Sequence, residues 1–474
     1  MAKEIKNICC IGAGYVGGPT MAVFADKCPH LNFFVVDKDE KRVKGWNSKD
    51  LNKLPVFEKG LNKIIKKCRG KNLYFSNNFK KYISEADMIF ISVNTPTKTK
   101  GLGAGKASDL KWVEASSREI AEYASGETIV VEKSTLPVRT AQTIKSILDE
   151  SQAINKEKKF TVLSNPEFLA EGTAINDLEN PDRVLIGGDD LQSINVLVKL
   201  YLNWVSKEKI LTTNLWSSEL SKLSANAFLA QRISSINTIS ALCEKTGANI
   251  KDVSLAIGTD RRIGEKFLNA GPGFGGSCFQ KDILNLVYIC DHYGLHKESA
   301  YWEKVVEINN WQKKRISNLI IENLFGTISG KKIAILGFAF KANTNDTRES
   351  PAIKICNELI NEGGNVSIYD PEVSLNQIQS DLNKFELNSS NCSSEEGGWS
   401  YANSIIEAVD SSDALVILTE WDEFKKLNWR EIKAKMRSPS WIFDTRSVIN
   451  ISEAQNYGFN TWGIGQGEVS ILHS

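Results

Sequence analysis

The chain lacks any run approaching the roughly 20 apolar residues that a bilayer crossing requires, and its apolar start, Ile8-Cys9-Cys10-Ile11, is broken at once by Gly12. We therefore expect no membrane span and no signal peptide. An excess of either charge is also missing: 58 Lys and Arg stand against 57 Asp and Glu. That balance argues against a nucleic-acid partner while leaving room for a local phosphate pocket. Histidine is scarce, and none of His30, His292, His296 and His473 lies in a motif, so proton transfers would fall to Lys, Asp, Glu and water. The nine cysteines are an odd number with no Cys-x-x-Cys pair, which speaks against a bound metal and for a reducing, cytoplasmic setting.

What is present is apolar material, 42% of 474 residues, enough to fill two or three cores. From Lys6 to Asp37 the chain reads strand, glycine-rich turn, helix, strand, which is one βαβ unit. Apolar strands follow at 87–93, 127–134 and 160–166 with helix-length segments between them, the alternation of a parallel sheet. From about Ser217 to Phe325 strands disappear, and 219–247 carries a helical apolar period ended by Gly247. A second series begins at Lys331, with strands near 365–371, 413–421 and 440–446. The expected fold is α/β, two Rossmann-like doubly wound domains (1–216 and 326–474) joined by a central helical region (217–325). The stretch between Leu375 and Ser404 is too polar for core and reads as a surface insertion. The apolar face of 219–247 exceeds what a linker needs, so a homo-oligomer, a dimer or an assembly of dimers, is expected through the central helices.

Two segments carry chemistry. Gly12-Ala13-Gly14-Tyr15-Val16-Gly17 fits G-x-G-x-x-G between a strand and a helix, with Asp37 ending the next strand. Gly12 permits the tight turn, Gly14 lets backbone approach a pyrophosphate, and Gly17 lets helix and strand pack closely. Asp37 would accept from an adenosine ribose and repel a 2′-phosphate, favouring NAD over NADP, although Arg42 complicates that choice. The second segment is Gly271-Pro272-Gly273-Phe274-Gly275-Gly276-Ser277-Cys278-Phe279-Gln280-Lys281-Asp282. A thiolate just before a helix is stabilised by unpaired backbone N–H groups, and Lys281 adds positive charge, so Cys278 is the candidate nucleophile. Two lesser clusters accompany them. Glu167, in the Asn165-to-Gly172 segment at a strand end, could orient or deprotonate water. Lys222 and Asn226, spaced i, i+4, leave a helix on one face.

Taken in order, VNTPT (93–97), EKSTLPVRT (132–140), SNPEFLAEGTA (164–174), KLSANAFLAQRISSIN (222–237), RIGEKFLNAGPGFGGSCFQKD (262–282), LGFAFKANTNDTRESPA (336–352) and TEWDEF (419–424) resemble the UDP-glucose/GDP-mannose dehydrogenase family nearly end to end. The resemblance implies that Cys278 forms a covalent adduct, that Lys222, Asn226 and Asp282 support the oxyanion and proton transfers, that Glu167 assists thioester hydrolysis, and that Thr135 holds a water. It implies NAD contacts at Gly12, Gly14, Tyr15, Val16, Gly17, Asp37, Arg42, Thr95, Thr135, Glu171, Lys281 and Arg348. Substrate contacts would come from Glu167, Phe168, Leu169, Lys222, Asn226, Arg262, Asn269, Phe274, Gly275, Phe340, Lys341 and Arg446. Asp444-Thr445-Arg446 departs from the Asp-Gly-Arg usual in animal relatives.

Family members oxidise a primary alcohol to the acid with two NAD per turnover, and the FQKD ending and SCF context favour UDP-glucose as substrate. The alternatives are a dehydrogenase of another nucleotide-sugar (GDP-mannose or UDP-N-acetylmannosamine), an inactive NAD-binding scaffold, and a two-electron hydroxyacid dehydrogenase.

Overall fold

The computed structural model describes residues 5–135, 137–382 and 396–467. The chain divides into two compact units, Met1–Ala225 with Leu284–Ser299, and Asn226–Ile283 with Ala300–Ser474.

The first unit is built on strands β1 (Asn7–Ile11), β2 (Asn32–Val36), β3 (Leu73–Ser76), β4 (Met88–Ile91), β5 (Glu127–Glu132), β6 (Lys159–Ser164), β7 (Val184–Gly188) and β8 (Ile210–Thr213). They lie in the order β3-β2-β1-β4-β5-β6-β7-β8, the doubly wound arrangement with two strands added at one edge. Strands covered on both faces read as continuous apolar runs, and Ile8, Cys9, Cys10 and Ile11 are all buried. Burial pushes the Cys9 and Cys10 thiols well up, so both act as small core hydrophobes. The strand pattern in the sequence predicts a parallel sheet, and the structure departs from it at one edge. β7 runs antiparallel to β6, and β8 runs parallel to β7. Neither strand, nor β3, stood out in the sequence, because each holds at most three consecutive apolar residues.

The second unit carries β9 (Lys332–Leu336), β10 (Asn365–Tyr369), β11 (Gly398–Tyr401), β12 (Ala414–Ile417), β13 (Trp441–Asp444) and β14 (Asn460–Gly463). They form a parallel sheet in the order β11-β10-β9-β12-β13-β14. The polar stretch at 375–404 is corrected at both flanks. Leu375–Leu382 is a helix with Ile378 and Leu382 buried, and β11 buries Trp399 completely. A short edge strand needs only one large apolar anchor, so its composition hid it. The rest of that stretch, 383–395, lies outside the described residues.

Between the sheets the chain is helical: Leu215–Thr246, Ile250–Gly258, Phe279–His292 and His296–Asn323. The first of these spans 32 residues, about 48 Å at 1.5 Å per residue, and stops where Gly247 takes φ +77°.

Candidate active site

In the first unit the glycine loop meets each requirement of a pyrophosphate cradle. A Cβ on Gly12 would lie 2.2 Å from the Ser92 carbonyl oxygen, and one on Gly17 would lie 2.0 Å from that of Gly12. These two glycines are demanded by packing. Gly14 differs: a Cβ there would enter open space, the room a ligand needs beside the helix Gly17–Lys27, whose N-cap is Val16. The residues present therefore fit a dinucleotide.

Asp37 stands just past β2. Its Oδ2 accepts from the Ala13 N–H at 2.8 Å and from Arg42 Nη1 at 3.0 Å, and its Oδ1 accepts from the Asp39 N–H at 2.9 Å. Arg42 is thus paired with Asp37. The Tyr15 hydroxyl bonds to the Glu58 carboxylate. Burial, then Glu58 itself, pushes that hydroxyl's pKa far up. Glu58 also accepts from the N–H groups of Gly172 at 2.5 Å and Ala174 at 3.0 Å, so it links the glycine loop to the segment holding Glu171. Sequence reasoning missed Glu58; a lone acid in a polar loop gives no local signal.

Thr95 Oγ1 donates to the Thr135 carbonyl at 3.0 Å, fixing the turn beyond β5. Glu167 folds back so that Oε1 accepts from the N–H groups of Phe168 (2.8 Å) and Leu169 (3.2 Å), while Oε2 pairs with Lys133 at 2.9 Å. The Phe168 ring lies 3.9 Å from the Arg183 guanidinium and 5.1 Å from Lys222 Nζ, an arrangement that holds the largely buried Lys222 by cation–π attraction.

In the second unit, Cys278 immediately precedes the helix Phe279–His292, and its carbonyl accepts from the Asp282 N–H at 2.8 Å. Asp282 is almost wholly buried. Its Oδ2 accepts from Asn226 Nδ2 at 2.6 Å, and its Oδ1 from Lys281 Nζ at 2.8 Å. Burial works against the Lys281 charge, but Asp282 and then the Cys278 sulfur outweigh it and raise its pKa. Much of the Lys281 charge is therefore committed to Asp282. The Ser277 hydroxyl lies 3.4 Å from Cys278 Sγ.

The glycine segment before Cys278 is gripped by three buried amides that the sequence did not reveal. Asn237 Oδ1 accepts from the Gly271 N–H at 2.9 Å, and Gln312 Nε2 donates to the Gly271 carbonyl at 2.9 Å. Asn309 bonds both the N–H and the carbonyl of Phe274, at 2.8 and 3.1 Å. Their only available signal was a polar residue at a buried helical position. Gly273 has φ +128°, and its Cβ would sit 2.6 Å from Asn309 Oδ1, so this grip requires glycine.

Phe340 and Arg446 are brought to the same segment. A Cβ on Gly275 would lie 2.9 Å from the Phe340 Cβ, and one on Gly271 would lie 3.3 Å from Arg446 Nη1. Arg446 donates to the carbonyls of Phe340 (3.0 Å) and Leu418 (2.9 Å). Lys341 lies over the Phe340 ring, and Phe274 packs edge-on against Phe279. Asn269, Arg262 and Arg348 are exposed; Arg262 pairs with Asp260 and Arg348 with Asp346, at 2.6 and 2.7 Å.

A dinucleotide cradle on a doubly wound sheet defines a Rossmann-type dinucleotide-binding protein. The chain belongs to the UDP-glucose/GDP-mannose dehydrogenase family, whose NAD binding domain matches residues 6–205, central domain 216–311 and UDP binding domain 334–451. It is 54% identical over 471 residues to UDP-glucose 6-dehydrogenase 1 of Glycine max, and 53% identical over 475 residues to UDP-glucose 6-dehydrogenase 4 of Arabidopsis thaliana. Both alignments cover 97% of each chain. Among solved structures it resembles a UDP-glucose dehydrogenase from Pyrobaculum islandicum (TM-score 0.83, 27% identity, covering 97% of this chain and 98% of that one). It also resembles a UDP-D-ManNAc dehydrogenase from Pyrococcus horikoshii (TM-score 0.82, 26% identity, covering 98% and 100%).

Proposed function

We propose that this chain oxidises UDP-glucose to UDP-glucuronate with NAD, through a thiohemiacetal and then a thioester on Cys278. The observation that carries the chemistry is the cysteine at a helix N-terminus, one turn before an Asp282 held between Asn226 and Lys281. The choice of UDP-glucose is supported by the near full-length identity to UDP-glucose 6-dehydrogenases.

Bound NAD supplies the hydride acceptor for each of the two oxidations. Hydride leaves only from a carbon whose oxygen can push electrons, so the aldehyde formed first must become tetrahedral again. Cys278 adds to it, and Lys222, Asn226 and Asp282 steady the developing oxyanion and move its proton. Loss of the second hydride gives the thioester, which water cleaves with Glu167 as base and Thr135 holding the water. Asp37 receives the ribose, with Arg42, Tyr15, Thr95, Glu171, Lys281 and Arg348 as further cofactor contacts. Phe168, Leu169, Arg262, Asn269, Phe274, Gly275, Phe340, Lys341 and Arg446 bind substrate.

We divide the labour as 1–216 for cofactor, 217–325 for assembly and substrate, and 326–474 for the UDP moiety. Trp216, Leu220, Phe228, Ile239 and Leu242 are exposed on the long helix, which supports a homo-oligomer. The eight described cysteines are free thiols, which supports a cytoplasmic setting, and among the described residues no helix is long and apolar enough to cross a membrane. The test is stoichiometry across a panel of nucleotide-sugars. Two NADH per UDP-glucose, with GDP-mannose and UDP-N-acetylmannosamine far slower, is expected; one NADH would overturn the four-electron reading.

A further inference from the structure

Lys133 is a buried cation to which the mechanism above gives no task. It directly follows β5, and its side chain is 3% exposed. Three acceptors surround its Nζ: Glu167 Oε2 at 2.9 Å, Asn165 Oδ1 at 3.0 Å and the Tyr201 hydroxyl at 3.1 Å. An ammonium has three N–H donors and no acceptor, so this set uses its whole bonding capacity. The acceptors are themselves fixed. The Tyr201 hydroxyl donates to Asn165 Oδ1 at 2.6 Å, and Asn165 Nδ2 donates to the Leu185 carbonyl of β7 at 2.8 Å. Burial would drive the proton off Lys133, but the charge of Glu167 and then Tyr201 outweigh it and raise its pKa.

The other end of the pair determines what this rigidity does. A carboxylate has about four lone-pair sites. On Glu167, two are taken at Oε1 by the N–H groups of Phe168 and Leu169, and one at Oε2 by Lys133. The remaining site is on Oε2, the oxygen that Lys133 holds, and the Glu167 side chain keeps 14% exposure.

We infer that Lys133 is a positioning residue: it fixes Glu167 Oε2, as carboxylate, with its remaining lone pair available to the water that cleaves the thioester. The inference rests on the thioester reading proposed above. In that step the water oxygen bonds to the carbonyl carbon as one of its protons passes to Glu167 Oε2. The tetrahedral adduct then collapses, the C–S bond breaks, and its electron pair leaves on the Cys278 sulfur. Glu167 and the product acid return their protons to solvent. No redox change occurs, and Lys133 exchanges no proton. The other titratable groups facing the pair are Tyr201, on the helix Leu191–Tyr201, and Cys10 on β1, both pushed up by burial. Arg183 and Lys222 flank the adjacent Phe168 ring.

The test compares Lys133→Met, Glu167→Gln and the unmodified enzyme by intact-protein mass spectrometry, quenched during turnover of UDP-glucose with NAD. Lys133→Met should retain the first oxidation and NAD binding, deacylate on the order of 10²-fold more slowly, and accumulate the acyl-enzyme as Glu167→Gln does. A merely structural lysine would leave the adduct population unshifted. If Glu167→Gln accumulates acyl-enzyme while Lys133→Met deacylates normally, the inference is overturned and the thioester reading survives. If Glu167→Gln accumulates none, the reading of Glu167 in hydrolysis fails and takes the inference with it. Should Lys133→Met not fold, Lys133→Gln keeps a polar group in the site and is read in the same way: slow deacylation supports the inference, and normal deacylation overturns it.

Discussion

β1 and β9 open the two doubly wound sheets, and each runs into a glycine with positive φ, Gly12 at +107° and Gly337 at +91°. Each glycine N–H donates at 2.8 Å to the last carbonyl of the next strand, that of Val36 or Tyr369. At neither position is there room for a side chain, since a Cβ would lie 2.2 Å from the Ser92 oxygen or 2.3 Å from the Thr419 Cβ. In both sheets an aspartate just past the second strand accepts the following N–H: Ala13 to Asp37 at 2.8 Å, Phe338 to Asp370 at 2.7 Å. Beyond the glycine the two diverge. A helix starts five positions after Gly12, at Gly17, but fourteen after Gly337, at Pro351. Asp370 takes the N–H groups of Phe338, Ala339, Glu372 and Val373 and the Trp421 indole, whereas Asp37 takes two backbone N–H groups and Arg42. The shared topology supplies a backbone frame at the C-terminal ends of the central strands. What the frame binds is decided by the residues after the glycine.

On the mechanism proposed above the two sheets chiefly bind and the covalent bond forms on Cys278, with Thr135 and Glu167, just past β5 and β6, serving the hydrolysis. Cys278→Ala is the largest test of that division. NADH formation should fall by roughly three orders of magnitude or more, while calorimetric binding of NAD and of UDP-glucose is retained. Cys278→Ser should add slowly to the aldehyde and then stall as an ester, a poorer acyl donor than a thioester, giving a mass gain that maps to residue 278. Full turnover by the alanine variant would leave Cys278 structural.

The two aspartates give the next contrast. Asp370→Ala leaves five donors without their acceptor and should cost about 3–5 kcal/mol in denaturant unfolding. Asp37→Ala, with fewer partners and one of them the half-exposed Arg42, should cost about 1–2 kcal/mol; equal losses would break the comparison. The smaller structural effect comes with a functional one. With Asp37 gone, Arg42 is released to meet a 2′-phosphate, so the ratio of kcat/KM for NAD over NADP should narrow by about 10–100-fold, the worth of one charge-assisted bond. Equal use of both cofactors by the unmodified enzyme would remove Asp37 from the selection.

These positions also show why part of the site was legible in the sequence and part was not. Gly12, Gly14, Gly17 and Asp37 satisfy local backbone rules within one βαβ unit, and the glycines before Cys278 announce a special backbone by their density. Asn237, Asn309 and Gln312 grip that loop from positions 34 or more residues away, and in sequence each is one more polar residue in a helix. Glu58 acts over separations of 43 and 114 residues, with no local cue. Lys133 lies inside the EKSTLPVRT motif, but its bonding to Asn165, Glu167 and Tyr201 is assembled only by folding. Among strands, β7 and β11 were hidden by their glycines and by too few consecutive apolar residues.

The fifth strands of the two sheets, β5 and β13, offer the finest test. Each ends in a buried acid, Glu132 or Asp444, whose pKa burial raises. Asp444 has backbone donors, the N–H groups of Arg446 at 3.0 Å and Ile449 at 2.9 Å. Glu132 instead faces a second acid, Glu219, whose charge adds to the effect of burial. Glu219 is raised by burial too, but it accepts from the N–H groups of Arg139 (2.7 Å) and Ala141 (2.8 Å) at the start of the helix Thr140–Ile154. Glu219 is therefore the ionised partner, and Glu132 keeps the proton. A carboxyl whose folded pKa lies above its unfolded value contributes stability that is fully present below about pH 4 and is lost as pH rises through the folded value. The unmodified protein should accordingly lose Tm towards alkaline pH. Glu132→Gln preserves the neutral shape with no proton to lose, so its Tm advantage should be small near pH 5 and grow with each step upward. Asp444→Asn, which sets an amide NH2 against a backbone donor, should lower Tm throughout. Parallel Tm–pH curves for the unmodified protein and Glu132→Gln would mean that Glu132 does not hold the shared proton.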